Sequence, residues 1–207
     1  MNERATLRRG LAAAAAVLAI GLVAGGCSGS AHPDQSNDAA YSGARLTDSP
    51  VAHDFALRDQ NGKLVRLSDQ RGHWVLLTFL YTHCTDVCPL IANNLNSAVR
   101  DLAARGNDVR VLAVSVDPKG DTPAGVKNYI RRHHLSPQFH YLIGTAPKLE
   151  QIWIAYNVVS KIKGAGKLFH SSYTFLIDPQ GKERIVYSPP AYADTVRRDL
   201  AHLIATS

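Results

Sequence analysis

The chain of 207 residues is 45% hydrophobic and 19% charged, and its formal net charge at pH 7 is +6. No block of lysine and arginine concentrates that charge, so a solvated surface explains it and binding to nucleic acid has no support. The hydrophobic content is sufficient for a folded core, and no internal repeat divides the chain.

The first 26 residues have the pattern of an export signal. Three arginines and one acid occupy the first ten positions, an uncharged apolar run follows over 11–24, and small residues lead to Cys27. The run is shorter than the roughly 20 residues that span a bilayer comfortably. The pattern is typical of a bacterial lipoprotein signal, cleaved before Cys27 and lipidated on it, although Ala24 stands where Leu, Val or Ile is usual. An uncleaved anchor and plain secretion are the alternatives.

Each of these alternatives places the remaining chain outside the cytoplasm, and the lipoprotein pattern predicts a lipid-anchored protein of the bacterial cell membrane. Residues 27–49 are mostly small and polar, which predicts a flexible tether between lipid and domain. About 158 residues remain from Pro50 onward, and that length suits a single domain over 50–207.

Strand-like and helix-like segments alternate along this domain. The alternation, with a hairpin at each end, predicts an α/β thioredoxin-like fold. In chain order the predicted elements are a hairpin around Asn61-Gly62, a buried strand in HWVLLTFLY, a helix from about Pro89, a strand in DVRVLAVSVD, a helix capped by Asp121 or Thr122, a short strand in FHYLIG, a helix in APKLEQIWIAYNV, a strand in SSYTFLID, a turn at DPQG, a strand in KERIVYS and a final helix in YADTVRRDLAHLIA.

Cys84 and Cys88 lie between the first buried strand and the helix that follows it. Backbone N–H groups and the positive end of the helix dipole would favour the thiolate of Cys88. If the intervening loop is a helical turn, both sulfur atoms point the same way. If Cys27 carries lipid, these are the only free thiols, and outside the cytosol they require a reductant, a metal or a redox cycle.

The spacing of the pair bears on its chemistry. A permanent disulfide across so small a ring would stabilise the fold little, because the effect grows with loop length. Thiol exchange usually uses two intervening residues, and the third one here suits a wider bite around a soft or borderline ion such as Cu(I) or Zn. Two thiolates alone leave such a site open to a third ligand.

Among nine histidines, His170 is the candidate third ligand. It comes just before a strong strand, and in thioredoxin-type folds that approach passes over the cysteine motif, 82 residues away in sequence from Cys88. His83 adjoins Cys84 but is predicted to lie at the surface or to support the site indirectly. The other histidines are predicted to be structural or exposed: His32, His53, His73, His133, His134, His140 and His202.

From about Val51 to Ala201 the chain resembles the Sco/SenC family of copper-binding assembly proteins. The resemblance rests on three motifs in order: FLYTHCTDVCP, VLAVSVDPKGDTP and HSSYTFLIDPQG. It implies a membrane-tethered, thioredoxin-like domain that binds copper through Cys84, Cys88 and His170. It also implies delivery of that copper to cytochrome c oxidase, usually to the binuclear centre of subunit II, and a further protein that donates the copper. Asp117 matches a family position near the site, with a supporting role.

Three departures from the family pattern are visible. Thr85 stands where Pro often follows the first cysteine, Gly120 where a basic residue is common, and Phe169 where Asp often precedes the histidine. The last change removes an acid that would orient His170, because the hydrogen-bond partners of a ligand fix its ring.

The implied mechanism follows from ligand chemistry. The thiols must be reduced and deprotonated to bind metal, so oxidation to a disulfide would expel copper. Two thiolates suit Cu(I), and His170 adds a ligand acceptable to Cu(II). The sequence leaves open which oxidation state operates in the cell.

Three other functions stay open at this point. A thiol-disulfide reductase that maintains the oxidase cysteines would need Cys84 and Cys88 but not His170. A peroxide reductase would use Cys88 in the TDVCP segment, which also resembles the T-x-x-C-P of peroxiredoxins. A carrier or structural lipoprotein would hold the pair as a disulfide. A metallochaperone is favoured over an enzyme, and thiol-disulfide oxidoreductase activity is retained as an alternative.

Overall fold

The computed structural model describes residues 41–104, 108–163 and 167–206. The predicted signal segment, Cys27 and the tether up to residue 40 lie outside the described residues. No helix in the described ranges is long and apolar enough to cross a membrane.

Ten strands and four helices occupy the described part of the chain. The strands are β1 (Ala44–Arg45), β2 (Ala56–Arg58), β3 (Leu64–Arg66), β4 (Trp74–Leu80), β5 (Val109–Ser115), β6 (Phe139–Leu142), β7 (Ser160–Lys163), β8 (Lys167–His170), β9 (Thr174–Ile177) and β10 (Glu183–Tyr187). The helices are α1 (Val87–Ala103), α2 (Pro123–Arg132), α3 (Ala146–Ala155) and α4 (Ala193–Thr206), with a short 3-10 turn at Ser68–Gln70.

Six of the strands form a central sheet in the order β1-β10-β9-β4-β5-β6. Strands β4, β5 and β6 are parallel, whereas β9 runs antiparallel to β4, and β10 antiparallel to β9. The hairpins β2–β3 and β7–β8 are separate two-stranded sheets. This mixed sheet with helices on both faces confirms the predicted α/β thioredoxin-like fold.

Both faces of the central sheet are buried, which explains the continuous apolar run of β4. Successive side chains of a strand point to opposite faces. Leu76 and Leu80 pack with α1, α2 and α4 on one face, while Val75 and Leu77 pack with α3 and the β2–β3 hairpin on the other. The strand that precedes the cysteines is therefore held rigidly from both sides.

Two features of the described chain differ from the sequence-based expectations. The domain begins before Pro50, because Ala44 and Arg45 pair with β10, and the backbone N–H groups of Ser42 and Gly43 donate to the buried carboxylate of Asp199. The second difference is the β7–β8 hairpin, which the sequence pattern did not predict and which carries His170 at its end.

Candidate metal centre

The sheet topology brings the cysteine loop and the histidine segment together. Thr78 of β4 pairs with Thr174 of β9, and the two strands are antiparallel. The loop that leaves β4 and the segment that leads into β9 therefore lie at the same end of the sheet. Cys84 lies in that loop, Cys88 is the second residue of α1, and His170 ends β8.

Both cysteines are buried and reduced. Cys84 is 8% exposed and Cys88 is fully buried, and neither forms a disulfide. The backbone N–H of Cys88 donates to the sulfur of Cys84 across 3.4 Å, and the two side chains are hydrogen-bonded to each other. The prediction that both sulfur atoms point the same way is confirmed.

The two thiols differ in acidity. A hydrogen bond from Cys88, aided by backbone N–H groups that include that of Asp86, lowers the pKa of Cys84 to about 5 although burial opposes the shift. The hydrogen bond to Cys84, together with burial, raises the pKa of Cys88 well above its ordinary value. Within the pair, the lower pKa therefore falls on Cys84 and not on Cys88, because N–H groups at the start of α1 reach back to the sulfur in the loop.

His170 faces Cys88 through its Nε2 atom. The distance from Nε2 to the sulfur of Cys88 is 3.4 Å, and Nδ1 lies 3.1 Å from the carbonyl oxygen of Ser171. Because a carbonyl oxygen only accepts, this contact assigns the proton to Nδ1 and leaves the Nε2 lone pair toward the sulfur. Burial lowers the pKa of His170, which also favours the neutral ring.

The orientation of His170 does not depend on the acid that is absent from position 169. The carbonyl of Ser171 accepts from Nδ1, and the hydroxyl of Ser172 lies 3.3 Å from the same nitrogen. Ser172 is itself buried. Partners of this kind fix the ring and tautomer of a metal ligand, and the sequence supplies them immediately after His170 instead of before it.

The three predicted ligands have donor types that fit a metal, and the spacing of Cys88 and His170 fits one as well. Sulfur and nitrogen donors bonded to one tetrahedral ion at the usual distances lie about 3.5 Å apart, and Cys88 Sγ and His170 Nε2 are 3.4 Å apart. No closed group of three His, Cys, Asp or Glu side chains is found in the described ranges. Instead, Cys84 contacts Cys88, and Cys88 contacts His170.

Tyr81 adds a contact that sequence reasoning missed. Its ring meets the ring of His170 edge to face, with centroids 5.4 Å apart and an interplanar angle of 84°. Its hydroxyl hydrogen-bonds to the sulfur of Cys84, and burial, followed by the charge of Cys84, raises the pKa of Tyr81 to about 12. Tyr81 therefore contacts one predicted ligand in the cysteine loop, Cys84, and one at the end of β8, His170.

Asp121 is the second residue that sequence reasoning missed. Thr122 caps α2 by accepting from the N–H of Gly125 at 3.1 Å, so Asp121 is not the cap and turns inward instead. Its buried carboxylate accepts from the N–H and hydroxyl of Thr82, at 2.8 and 2.7 Å, and from the hydroxyls of Ser115 and Tyr141, at 2.6 and 3.1 Å. Burial raises its pKa. These bonds fasten the cysteine loop to β5 and β6.

Within the described residues, Asp117 lies beside the cysteine loop, and its carboxylate hydrogen-bonds to backbone N–H groups and not to either sulfur. Its carboxylate accepts from the N–H of Gly120 at 2.9 Å and from that of Lys119 at 3.3 Å, and its charge contributes to the raised pKa of Tyr81. A Cβ atom at Gly120 would meet the Asp117 carboxylate and would approach Nδ1 of His83 to 3.2 Å. The absence of a side chain at position 120 is explained by this close approach.

We expect Gly120→Ala to lower the free energy of unfolding by about 1–3 kcal/mol, because the new methyl group displaces the Asp117 carboxylate. Urea denaturation of the purified protein measures the change. The double variant Asp117→Ala, Gly120→Ala should lose less stability than the sum of the single variants. Additive losses would show that the contact with Asp117 is not the cause.

The remaining histidines of the described chain are engaged elsewhere. His73 pairs with Asp108 at 2.8 Å, and His140 lies 3.5 Å from the buried carboxylate of Asp59. The ring of His83 is exposed and contacts the hydroxyl of Thr82. Three others pack against aromatic rings: His53 against Tyr156, His133 against Tyr129 and His202 against Tyr41.

The fold and the site define a thioredoxin-like protein in which two thiols and one imidazole meet at one end of the sheet. Residues 43–205 match the SCO1/SenC family, and the chain belongs to that family. An SCO2-like protein of Rickettsia typhi is 32% identical over 138 residues, which are 64% of this chain and 67% of the relative.

Solved structures agree with this assignment. The structure of Bradyrhizobium japonicum ScoI with copper bound is 29% identical, with a TM-score of 0.64, and the match covers 73% of this chain and 98% of that one. A second similar structure is that of BsSco, described as a member of the Sco family of cytochrome c oxidase assembly proteins with a disulfide switch. It is 25% identical with a TM-score of 0.65, covering 76% of this chain and 93% of that chain.

Proposed function

We propose that this chain is a membrane-tethered copper chaperone that acts outside the cytoplasm in the assembly of cytochrome c oxidase. The observation that carries the proposal is the approach of His170 Nε2 to Cys88 Sγ at 3.4 Å, with Cys84 hydrogen-bonded to Cys88. Membership of the SCO1/SenC family and the copper-bound structure of Bradyrhizobium japonicum ScoI support it.

This donor set suits copper, and the copper-bound structure of Bradyrhizobium japonicum ScoI favours copper over zinc. Thiolates select soft ions such as Cu(I), and imidazole is a good ligand for Cu(II). The pKa of Cys84 is lowered to about 5, chiefly by the hydrogen bond from Cys88, which favours its thiolate at neutral pH. Cys88 would release its proton when the metal binds, as ligand thiols do. Asp117 would support the site from the neighbouring loop.

The acceptor in this proposal is the copper centre of cytochrome c oxidase subunit II. Lipidation of Cys27 would hold the domain at the cell membrane, and residues between Cys27 and the folded domain would act as the tether. A tether raises the effective concentration of the domain near a membrane-embedded acceptor. A separate protein would donate the copper.

A thiol-disulfide reductase is the second candidate, and one observation favours it. A thiolate at Cys84 beside a buried thiol at Cys88 is the arrangement of an attacking and a resolving cysteine. The similar BsSco structure is described as containing a disulfide switch. This function needs both cysteines and leaves His170 without a direct role.

Copper counting on the full-length chain tests the proposal. The protein, purified in detergent and reduced without oxygen, is loaded with copper, desalted and analysed for metal per chain. One retained copper that moves to a reduced soluble fragment of subunit II supports chaperone function. A chain that retains no copper, yet reduces the disulfide form of that fragment, would instead be the reductase.

His170→Ala is expected to weaken Cu(II) binding by more than the roughly 100-fold that loss of an outer hydrogen-bond partner costs. Its effect on Cu(I) should be much smaller, because two thiolates remain. Competition with chelators of each oxidation state measures both affinities. His83→Ala is the matched control, since that exposed ring contacts Thr82 and neither cysteine. Equal weakening of both oxidation states would refute this division of roles.

A further inference from the structure

Tyr81 joins two parts of the site that come from distant segments of the chain. Its hydroxyl hydrogen-bonds to the sulfur of Cys84, and its ring contacts His170 edge to face. The residue follows directly on β4, the central strand, and precedes Thr82, which Asp121 holds by two hydrogen bonds. Its backbone is therefore fixed by the rigid sheet on one side and by a buried carboxylate on the other.

A hydrogen bond to a sulfur atom changes what that atom can do. A donor stabilises a reduced thiolate, and stabilisation of the reduced form makes the corresponding disulfide more oxidising. On a copper-bound cysteine, a donor withdraws electron density from the sulfur, and hydrogen bonding around such a sulfur is one way in which proteins tune the copper potential. Loss of density at sulfur disfavours Cu(II) more than Cu(I), because Cu(II) needs the stronger electron donor.

We propose that Tyr81 is a positioning residue that stabilises the reduced cysteine pair and shifts the site toward Cu(I). The hydroxyl acts on Cys84, while the ring holds the plane of His170. The effect on the cysteine pair is independent of metal, whereas the effect on copper rests on the proposed function. The two effects can therefore be measured separately on one variant.

Tyr81→Phe removes the hydroxyl and keeps the ring. In the metal-free full-length protein, the pair is equilibrated with glutathione, so that one protein disulfide and two glutathione thiols give one protein dithiol and one glutathione disulfide. The variant should favour its disulfide by about tenfold in this equilibrium constant, which is a potential about 30 mV more negative. Quenching with acid, followed by alkylation and mass measurement, counts the two forms.

The copper-loaded protein supplies the second measurement. Tyr81→Phe should favour Cu(II) over Cu(I) by about tenfold, which lowers the one-electron potential by about 59 mV. The sulfur-to-copper absorption of the Cu(II) form should move to longer wavelength, since a more electron-rich sulfur gives up an electron at lower energy. A residue with a merely structural role would change neither quantity in this direction.

Two further variants make the test specific. Tyr173→Phe also deletes one phenolic hydroxyl near this end of the sheet, from a half-exposed ring, and should match the unmodified protein. Tyr81→Leu removes ring and hydroxyl and should shift both the dithiol potential and the copper potential, with a broader Cu(II) signal in electron paramagnetic resonance.

A dithiol potential of Tyr81→Phe equal to that of the unmodified protein would overturn the proposal, whether or not copper binds. If the unmodified protein holds no copper, the proposed function fails while the dithiol measurement still decides the role of Tyr81.

Discussion

Replacing either Cys84 or Cys88 with serine is expected to abolish the retention of copper through desalting, with Cu(I) affinity falling by several orders of magnitude. Serine keeps the shape but supplies a hard, protonated oxygen, which a soft ion does not select. Cys88 has no exposed surface and contacts His170, so its loss leaves no sulfur beside the imidazole. Cys84 has a lowered pKa, so its loss removes the more acidic thiol of the pair.

Metal per chain and the sulfur-to-copper absorption measure this loss. Thr85→Ala is the matched control, because Thr85 lies between the two cysteines with an exposed side chain and should retain copper as the unmodified protein does. Circular dichroism confirms that each serine variant is folded. Full copper retention in either serine variant would place the metal elsewhere on the chain and end the case for this site.

Asp121→Ala should lower the free energy of unfolding by about 3 kcal/mol although Asp121 is not a predicted ligand. The reason is that the backbone N–H of Thr82 and the buried hydroxyls of Ser115 and Tyr141 lose their shared acceptor, and a buried donor left unpaired costs about 1–3 kcal/mol. The cysteine loop also loses its fastening to the sheet. We therefore expect weaker copper retention in this variant even under conditions where it remains folded.

Asp121→Asn should cost much less stability than Asp121→Ala, since the amide oxygen accepts from Thr82 and the amide nitrogen donates to hydroxyls that also accept.

The difference in stability between the unmodified protein and Asp121→Asn should depend on pH. Burial raises the pKa of Asp121 in the folded state, so its contribution to stability is fully present below about pH 4, its unfolded pKa, and declines as the pH rises through the folded pKa. The unfolding free energy of the unmodified protein minus that of Asp121→Asn should fall over this range. A difference independent of pH would contradict a carboxylate with a raised pKa.

Local sequence pattern was sufficient for most of the fold. The apolar run before the cysteines, the cap at Thr122 and the hairpin turn at Gly62 follow from side-chain period and turn chemistry, and the structure confirms each of them. The position of His170 could also be anticipated, because the order of elements brings the segment before β9 to the cysteine loop.

Sequence pattern failed where distant segments decide the outcome. The pKa of Cys84 is the lower of the two because the side chain of Cys88 and N–H groups of the following turn hydrogen-bond to its sulfur, and no residue pattern marks that direction. Asp121 resembles a helix cap in sequence, yet its four hydrogen-bond donors come from three other parts of the chain. Strand β1 has only two residues and forms by pairing with β10, which lies about 140 positions later in the sequence.

If the chain delivers copper as proposed, the separate hairpin of β7 and β8 bears on how the ion is released. Ser160, at its start, donates to the carbonyl of Val116, and Ser171, after its end, donates to that of Val159, whereas the central sheet does not include the hairpin strands. Segments held by few bonds open locally at much lower free energy than the core. We therefore expect the hairpin that leads to His170 to open at a lower free energy than the core that carries Cys88. Amide hydrogens of the hairpin should exchange before those of β4, and a copper ion would lose its nitrogen ligand first, becoming two-coordinate and open to an incoming donor while the domain stays folded.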